Sequence, residues 1–365
     1  MLNTNIKLVN KITNEKSKRN HGLDLLKIIG MINIINLHIN LRMNSLRMNS
    51  KDLKFNQVYS LEVFSFWPVD AFGLISGIVG YGKYKFSNII YLWFIYIFYS
   101  IFFSIIPFNN SKINSKELIL SFFPLGIKRN WYVNAYIFMY YFLPFITNSI
   151  HSINKNLFDK IVLHFFLIYS IYDTMIDAYT RNINFDFIYK GYSSLWLLIL
   201  YIVGGYLRRF YLQKNCISIF LLTYVISSFI TSEYTIYNIR IYNKQLFKIM
   251  SYTSPTIIIQ ALSLIFFFSN LKINNKYLIK AISFIIPLNF STILIHMRYF
   301  FSKIQSSLEV FKFINSLSPK LLFFKIYGIS ISIYFICIIF DYFRYLLFKL
   351  FRIKNVCNFI EKIIF

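Results

Sequence analysis

Gly22 to Asn40, GLDLLKIIGMINIINLHIN, is a mostly apolar run that carries an acid, a base and an imidazole. At bilayer depth each such group costs about 3 kcal/mol unless it faces protein or water, so it reads as functional by default. A helix turns about 100° and rises about 1.5 Å per residue, which sets Lys27 and His38 three turns and roughly 16 Å apart on one face. Asp24 falls on the same face. An imidazole can act as general base on a hydroxyl, or as a nucleophile that forms a transient acyl intermediate. A cation near one membrane surface suits an anionic ligand, such as a phosphate-bearing donor. The plainer readings are a histidine that glues helices together, flanked as it is by Asn36 and Asn40, and a lysine that snorkels to the interface.

Other polar residues lie inside apolar stretches. In EVFSFWPVDAFGLISGIVGYG, Asp70 follows Pro68 and is placed to partner a base or orient an imidazole. Pro68 loosens the helix there, while Ser76, Gly77 and Gly80 allow close helix approach. Trp131 and Tyr132 open WYVNAYIFMYYFLPF, either as an interface belt or as a stacking surface for a sugar ring. His296 closes STILIHMRYF with Arg298 two residues on, at the side His38 approaches. His151 and His164 fit interface and packing, and His21 sits in a basic, solvated segment. Glu62, Asp173 and Asp177 lie near span ends, where solvation is available.

The chain that must position these groups has 365 residues, 57% hydrophobic and 21% aromatic, with a mean hydropathy of +0.53. Soluble domains are nearer 45–50% apolar. Repeated apolar runs of about 20 residues define an all-α, polytopic membrane helix bundle. Ten spans are expected, at 22–41, 60–82, 88–107, 131–150, 158–177, 194–212, 216–232, 252–269, 278–297 and 325–348. Residues 1–21 form a basic cytoplasmic segment without the apolar core of a cleavable signal. Residues 22–348 are one membrane domain, and 349–365 a basic cytoplasmic tail, to which Arg344 also contributes charge. Segment 115–127 is too short to span and reads as interfacial or re-entrant. Both termini are expected in the cytoplasm of a multi-pass cell-membrane protein, since short basic connectors (Lys83 and Lys85; Arg208, Arg209 and Lys214; Lys272, Lys276 and Lys280) mark that side.

The net charge of +25 sits in clusters flanking apolar runs, not on a soluble basic domain, which argues against nucleic acid as partner. Cys216, Cys337 and Cys357 are odd in number and scattered, so they read as free thiols. No metal spacing, P-loop or Gly-rich fingerprint occurs.

Five landmarks, in order over about residues 20–300, together resemble the acyltransferase 3 family. Gly22-Leu23-Asp24-Leu25-Leu26-Lys27 with Leu37-His38 is similar to its first-span LDxLR motif, which has a histidine eleven residues past the arginine. Val69-Asp70-Ala71-Phe72 leading to Ile75-Ser76-Gly77 resembles its second span. SFFPLG with Trp131-Tyr132-Val133-Asn134-Ala135-Tyr136 and Leu143-Pro144-Phe145 resembles a third element. Tyr201-Ile202-Val203-Gly204-Gly205-Tyr206-Leu207-Arg208 and Leu294-Ile295-His296 complete the series. The departures are Lys27 for the family's arginine, which keeps the charge but loses the bidentate fork, and Met297-Arg298 after the last histidine.

The resemblance implies about ten membrane helices and transfer of an acyl group, commonly acetyl from acetyl-CoA, to a hydroxyl of a carbohydrate or lipid-linked glycan. His38 would then be the essential histidine, Asp70 a supporting site residue and Lys27 the donor-side cation. Asp24, Trp131, Tyr132, His296 and Arg298 are the further candidates for substrate contact. Acyl-CoA enters as substrate, with no resident cofactor or metal. The lipid bilayer and a glycan acceptor are the expected partners. A transporter or flippase of a lipid-linked glycan is the alternative; it would consume no acetyl-CoA and release no thiol. A glycan polymerase typically needs a large arginine-rich outer loop, and the outer loops here have the scale of ordinary connectors.

Overall fold

The computed structural model describes residues 19–44, 53–80, 84–106, 115–126, 130–180, 188–212, 217–242, 249–297 and 318–364. Among these the regular structure is helical throughout, with no strand. The helices are α1 (His21–Asn44), α2 (Leu53–Phe64), α3 (Pro68–Gly80), α4 (Phe86–Ile105), α5 (Ser115–Ser121), α6 (Trp131–Ser152), α7 (Lys155–Phe166), α8 (Asp173–Thr180), α9 (Ser194–Phe210), α10 (Ile217–Tyr242), α11 (Pro255–Ser269), α12 (Lys276–Asn289), α13 (Ser291–Ile295), α14 (Pro319–Leu350) and α15 (Ile353–Ile364).

Each of the ten stretches expected from the sequence contains helix among its described residues, and five helices are long and apolar enough to cross a membrane. These are His21–Asn40, Lys54–Gly80, Phe86–Ile105, Ser218–Ile241 and Leu321–Leu350. Several of the others are interrupted. The 158–177 stretch passes through a π-helical turn, Leu167–Tyr172, between α7 and α8. The 278–297 stretch breaks after Asn289 into α12 and α13. Within the second long span the helix is broken at Ser65–Trp67, just before Pro68. Proline has no N–H to donate, so it favours the first turn of the new helix, α3.

α1 is the hub, packed against α2, α3, α11, α12 and α14. Its polar residues are tied to those neighbours. Asn36 Nδ2 donates to Ser65 Oγ at 2.7 Å, Ser65 Oγ donates to Asn33 Oδ1 at 3.1 Å, and Tyr327 OH donates to the same oxygen at 2.9 Å.

A tight seam joins α3 to α9. A Cβ at Gly77 would lie 2.0 Å from the Tyr201 carbonyl oxygen, and one at Gly204 would lie 2.1 Å from that of Leu74. Only glycine permits this approach, as in other membrane helix pairs built on small residues. α5, which falls in the 115–127 segment, packs on α4. α15 follows a turn at Arg352, docks on α4 and keeps Phe359, Ile363 and Ile364 exposed beside Lys354 and Lys362.

Candidate functional site

Two histidines from opposite ends of the sequence meet. His38, on α1, and His296, just past α13, lie with Nδ1 of the first 2.9 Å from Nε2 of the second. Their rings stack at 5.1 Å between centroids and 25° between planes. His296 is fully buried, and its Nδ1 lies 2.6 Å from the Thr292 carbonyl oxygen. A carbonyl only accepts, so Nδ1 of His296 carries the hydrogen. In the neutral pair, Nε2 of His296 then accepts from Nδ1–H of His38. The basic lone pair of His38 is thereby assigned to Nε2 by the hydrogen-bond network. Carbonyl, imidazole and imidazole form a chain that fixes the tautomer and orientation of the last ring, the arrangement a general base requires.

The sequence placed these two residues at one side of the bundle but did not indicate that they touch. Their approach depends on the break after Asn289, which lets α13 start afresh. Asn289 itself ties α12 to α1, with Nδ2 donating to the Lys27 carbonyl at 3.2 Å and Oδ1 accepting from Tyr334 OH at 2.7 Å.

A cavity of about 520 Å³ lies between α1, α3, α4, α6, α9, α12 and the start of α13. Its polar lining is one cation, Lys27, and the side chains of Tyr132, Tyr136, Tyr140, Tyr201, Ser76, Asn88 and Asn289. Ile293, one helical turn before His296, closes its upper wall, and Val79 and Gly80 lie at its lower end. The lower end adjoins the connector before α4, where Tyr140 OH donates to the Lys85 carbonyl at 2.8 Å. Lys27 and Met31 mark how far α1 contributes to the wall. His38 continues the same stripe about two turns higher.

Asp24 does not stand alone as a ligand group. It accepts from Arg19 Nε at 2.6 Å and from Lys27 Nζ at 3.2 Å, so it holds the lysine at the cavity wall. Arg19, Asp24 and Lys27 leave a net positive charge of one at this end. Asp70 is fully buried and accepts from Trp196 Nε1 at 2.9 Å instead of orienting an imidazole. Its second carboxylate oxygen has no hydrogen-bond partner among the described residues. Tyr132 lines the cavity, whereas Trp131 turns the other way. Trp131 packs at 4.7 Å from Tyr192 and 5.9 Å from Tyr252. Asn130, next to Trp131, shares a small cleft with Leu294 and Met297, so the tryptophan and the histidine pair occupy one end of the bundle. Arg298 lies outside the described residues.

Tyr136, Tyr140 and Tyr201 were not among the site residues expected from the sequence. A signal was present: Tyr132, Tyr136 and Tyr140 recur every four residues and so line one helix face. Arg344 reads from the sequence as a tail charge. Arg344 is instead buried inside α14, donating to both carboxylate oxygens of Asp341 at 2.8 and 2.5 Å and to Tyr91 OH at 3.2 Å. Among the described residues no cluster of His, Cys, Asp and Glu is arranged to hold a metal. No family model, no curated protein and no solved structure matches the chain.

Proposed function

We propose that this protein is an integral-membrane O-acyltransferase, of the kind the acyltransferase 3 resemblance implies. It would move acetyl, or a related acyl group, from cytoplasmic acyl-CoA to a hydroxyl of a surface polysaccharide or lipid-linked glycan. The observation that carries the reading is the oriented histidine pair on the α1 stripe whose lower part, Lys27 and Met31, lines the cavity. An acyl-CoA is anionic and cytoplasmic, and the lysine end, with the connector at Lys85, suits its phosphates. The tyrosine hydroxyls that line the cavity suit the polar arm that carries the thioester.

In the reaction, Nε2 of His38 takes the proton of the acceptor hydroxyl as its oxygen bonds to the acyl carbon. The carbon–sulfur bond breaks and the thiolate leaves, regaining the proton from His38. His296 holds the first ring and disperses the charge it carries midway. The products are an ester and free CoA thiol, so atoms and charge balance. On this reading the Lys27 end faces the cytoplasm and the ten helical stretches cross the membrane.

The test is a membrane preparation supplied with acetyl-CoA and acceptor glycan, read by thiol release and by ester formation on the glycan. Wild type is expected to do both and His38→Ala neither. Glycan translocation without thiol release would establish a flippase and end the acyltransferase reading.

A further inference from the structure

α15 carries three distinct faces. Cys357 is buried and Glu361 accepts from the Ser87 hydroxyl, so one side docks on the start of α4. Val356, Phe359 and Ile363 follow one another at spacings of three and four, which sets them on a second face. They are 40%, 63% and 67% exposed. Lys354, Asn358 and Lys362 recur every four residues on a third face and are exposed as well.

The placement of α15 follows from the two helices it touches. Phe86–Ile105 of α4 and Leu321–Leu350 of α14 are both long and apolar enough to span. They run antiparallel side by side, since Tyr91 packs on Phe348, Tyr99 bonds to Asp341 and Phe102 packs on Phe340. The start of α4 and the end of α14 therefore mark the same membrane surface. Between them the chain turns at Arg352, whose backbone is left-handed (φ +51°), and α15 runs back to Ser87. At 12 residues, about 18 Å, α15 is too short to cross a hydrocarbon core of about 30 Å. It lies at the surface where the two spans meet water.

We infer that α15 is a docking surface for anionic phospholipid, with Val356, Phe359 and Ile363 among the acyl chains of the adjoining leaflet and Lys354 and Lys362 at its phosphates. A helix with Phe and Ile on one side and Lys on another lies in the interface plane, and anionic lipid strengthens its hold. Charge selects the occupant. Lys349 and Arg352 are exposed in the same stretch, and the one acid of α15, Glu361, is turned to Ser87, so the outward faces carry basic charge alone. The apolar face by itself would suit a second copy of the chain equally, but two such basic surfaces repel each other. The inference needs the membrane spans and not the chemistry at His38, so it stands apart from acyl transfer.

The test uses the full-length protein in nanodiscs of phosphatidylcholine and phosphatidylglycerol in equal parts, with a trace of either lipid carrying a diazirine in its acyl chain. Ile339 and Phe343, exposed on α14, serve as the reference for a lipid-facing span. Adducts are expected on Val356, Phe359 and Ile363 but not on Lys354 or Asn358, and more from phosphatidylglycerol than from phosphatidylcholine. No adduct on α15, adducts on all its faces, or equal labelling by the two lipids would overturn the inference. So would crosslinks between the α15 helices of two copies in place of lipid adducts. Labelling absent from α14 as well would remove the membrane itself, and with it the integral-membrane reading.

In parallel, Lys354→Gln with Lys362→Gln keeps the apolar face and removes the charge. Both lysines are exposed, so the helix stays folded and docked. A basic residue near an anionic surface is worth about fivefold in association. The preference for phosphatidylglycerol at Phe359 should fall by about that factor for each lysine, while labelling by phosphatidylcholine persists. An unchanged preference in the double variant would overturn the inference, because the lysines would then not be what reads the lipid.

Discussion

Two ion pairs in this protein have the same local sequence logic and opposite surroundings. Asp24 with Lys27 and Asp341 with Arg344 are each an acid followed three residues later by a base on an apolar helix. The side chains of the second pair are 0% and 1% exposed, those of the first 8% and 26%. Arg344 donates to Asp341 and Tyr91, and Tyr99 OH donates to Asp341 at 2.6 Å, so the pair pins α14 to α4. Lys27 touches its acid through one contact and also lines a cavity. One pair is a rivet and the other a lining. Spacing alone does not separate them; what does is whether neighbours consume the remaining hydrogen-bonding capacity.

The largest effect is expected at the sealed pair. Arg344→Leu leaves Asp341 charged, buried and without its cation, at a cost of about 3–5 kcal/mol. Removing both, as Asp341→Leu with Arg344→Leu, should recover most of the loss, because an apolar pair of similar size avoids desolvation altogether. Thermal unfolding in micelles reads both. If Arg344→Leu melts with the wild type, the rivet does not exist and the contrast with Lys27 dissolves.

The histidine pair comes next, and there the loss should fall on rate, not stability. His38→Ala removes a general base worth about 10²–10⁴-fold in acyl transfer. His296→Gln is milder, since its amide oxygen can still accept from His38 Nδ1; loss of one well-oriented hydrogen bond is worth about 1 kcal/mol, or roughly fivefold. A His38→Ala protein that stays folded and fully active would return the histidine to the role of helix glue.

How much of this was legible in the sequence differs by level. Helix content followed from composition and run length, because an apolar run of about 20 residues has few other ways to satisfy its backbone in lipid. The interruptions were harder to see. The break at Ser65–Trp67 is signalled by Pro68 and the restart after Asn289 by Pro287, but the π turn at Leu167–Tyr172 carries no comparable marker. Those same interruptions build the site, since the restart brings His296 to His38. Lys27 and His38 could be placed on one stripe by counting residues. The Trp196 partner of Asp70, 126 residues away, could not be, because nothing local fixes which helix α3 packs upon.

At the open pair the expected change is one of affinity. Lys27→Ala removes a partly exposed ion pair, worth at most about 1 kcal/mol of stability. If the lysine faces donor phosphate, the KM for acyl-CoA should rise by about tenfold with kcat little altered, the mark of lost uniform binding. The wild-type KM should also climb with salt, and the variant's less steeply. Unchanged donor dependence in Lys27→Ala would remove the lysine from the site and make both pairs structural.

The smallest effect is expected at the bundle surface. Glu361, on the surface helix α15, is held below the ordinary carboxylate range by a hydrogen bond from the Ser87 hydroxyl, with backbone contacts at Phe86 and Ser87 and the charge of Lys85 assisting. A carboxyl whose folded pKa is lowered stabilises docking above its unfolded value, about 4.3, and that contribution fades as pH falls through the lowered folded value. Amide exchange across α15 should therefore quicken modestly, relative to α1, as pH drops below about 4.3, after correction for the intrinsic pH dependence of exchange. Glu361→Gln should show the faster exchange already at neutral pH and lose the pH response. A response that survives in Glu361→Gln would mean that another carboxyl governs the docking of α15, and that charge at this exposed edge matters as little as its solvation suggests.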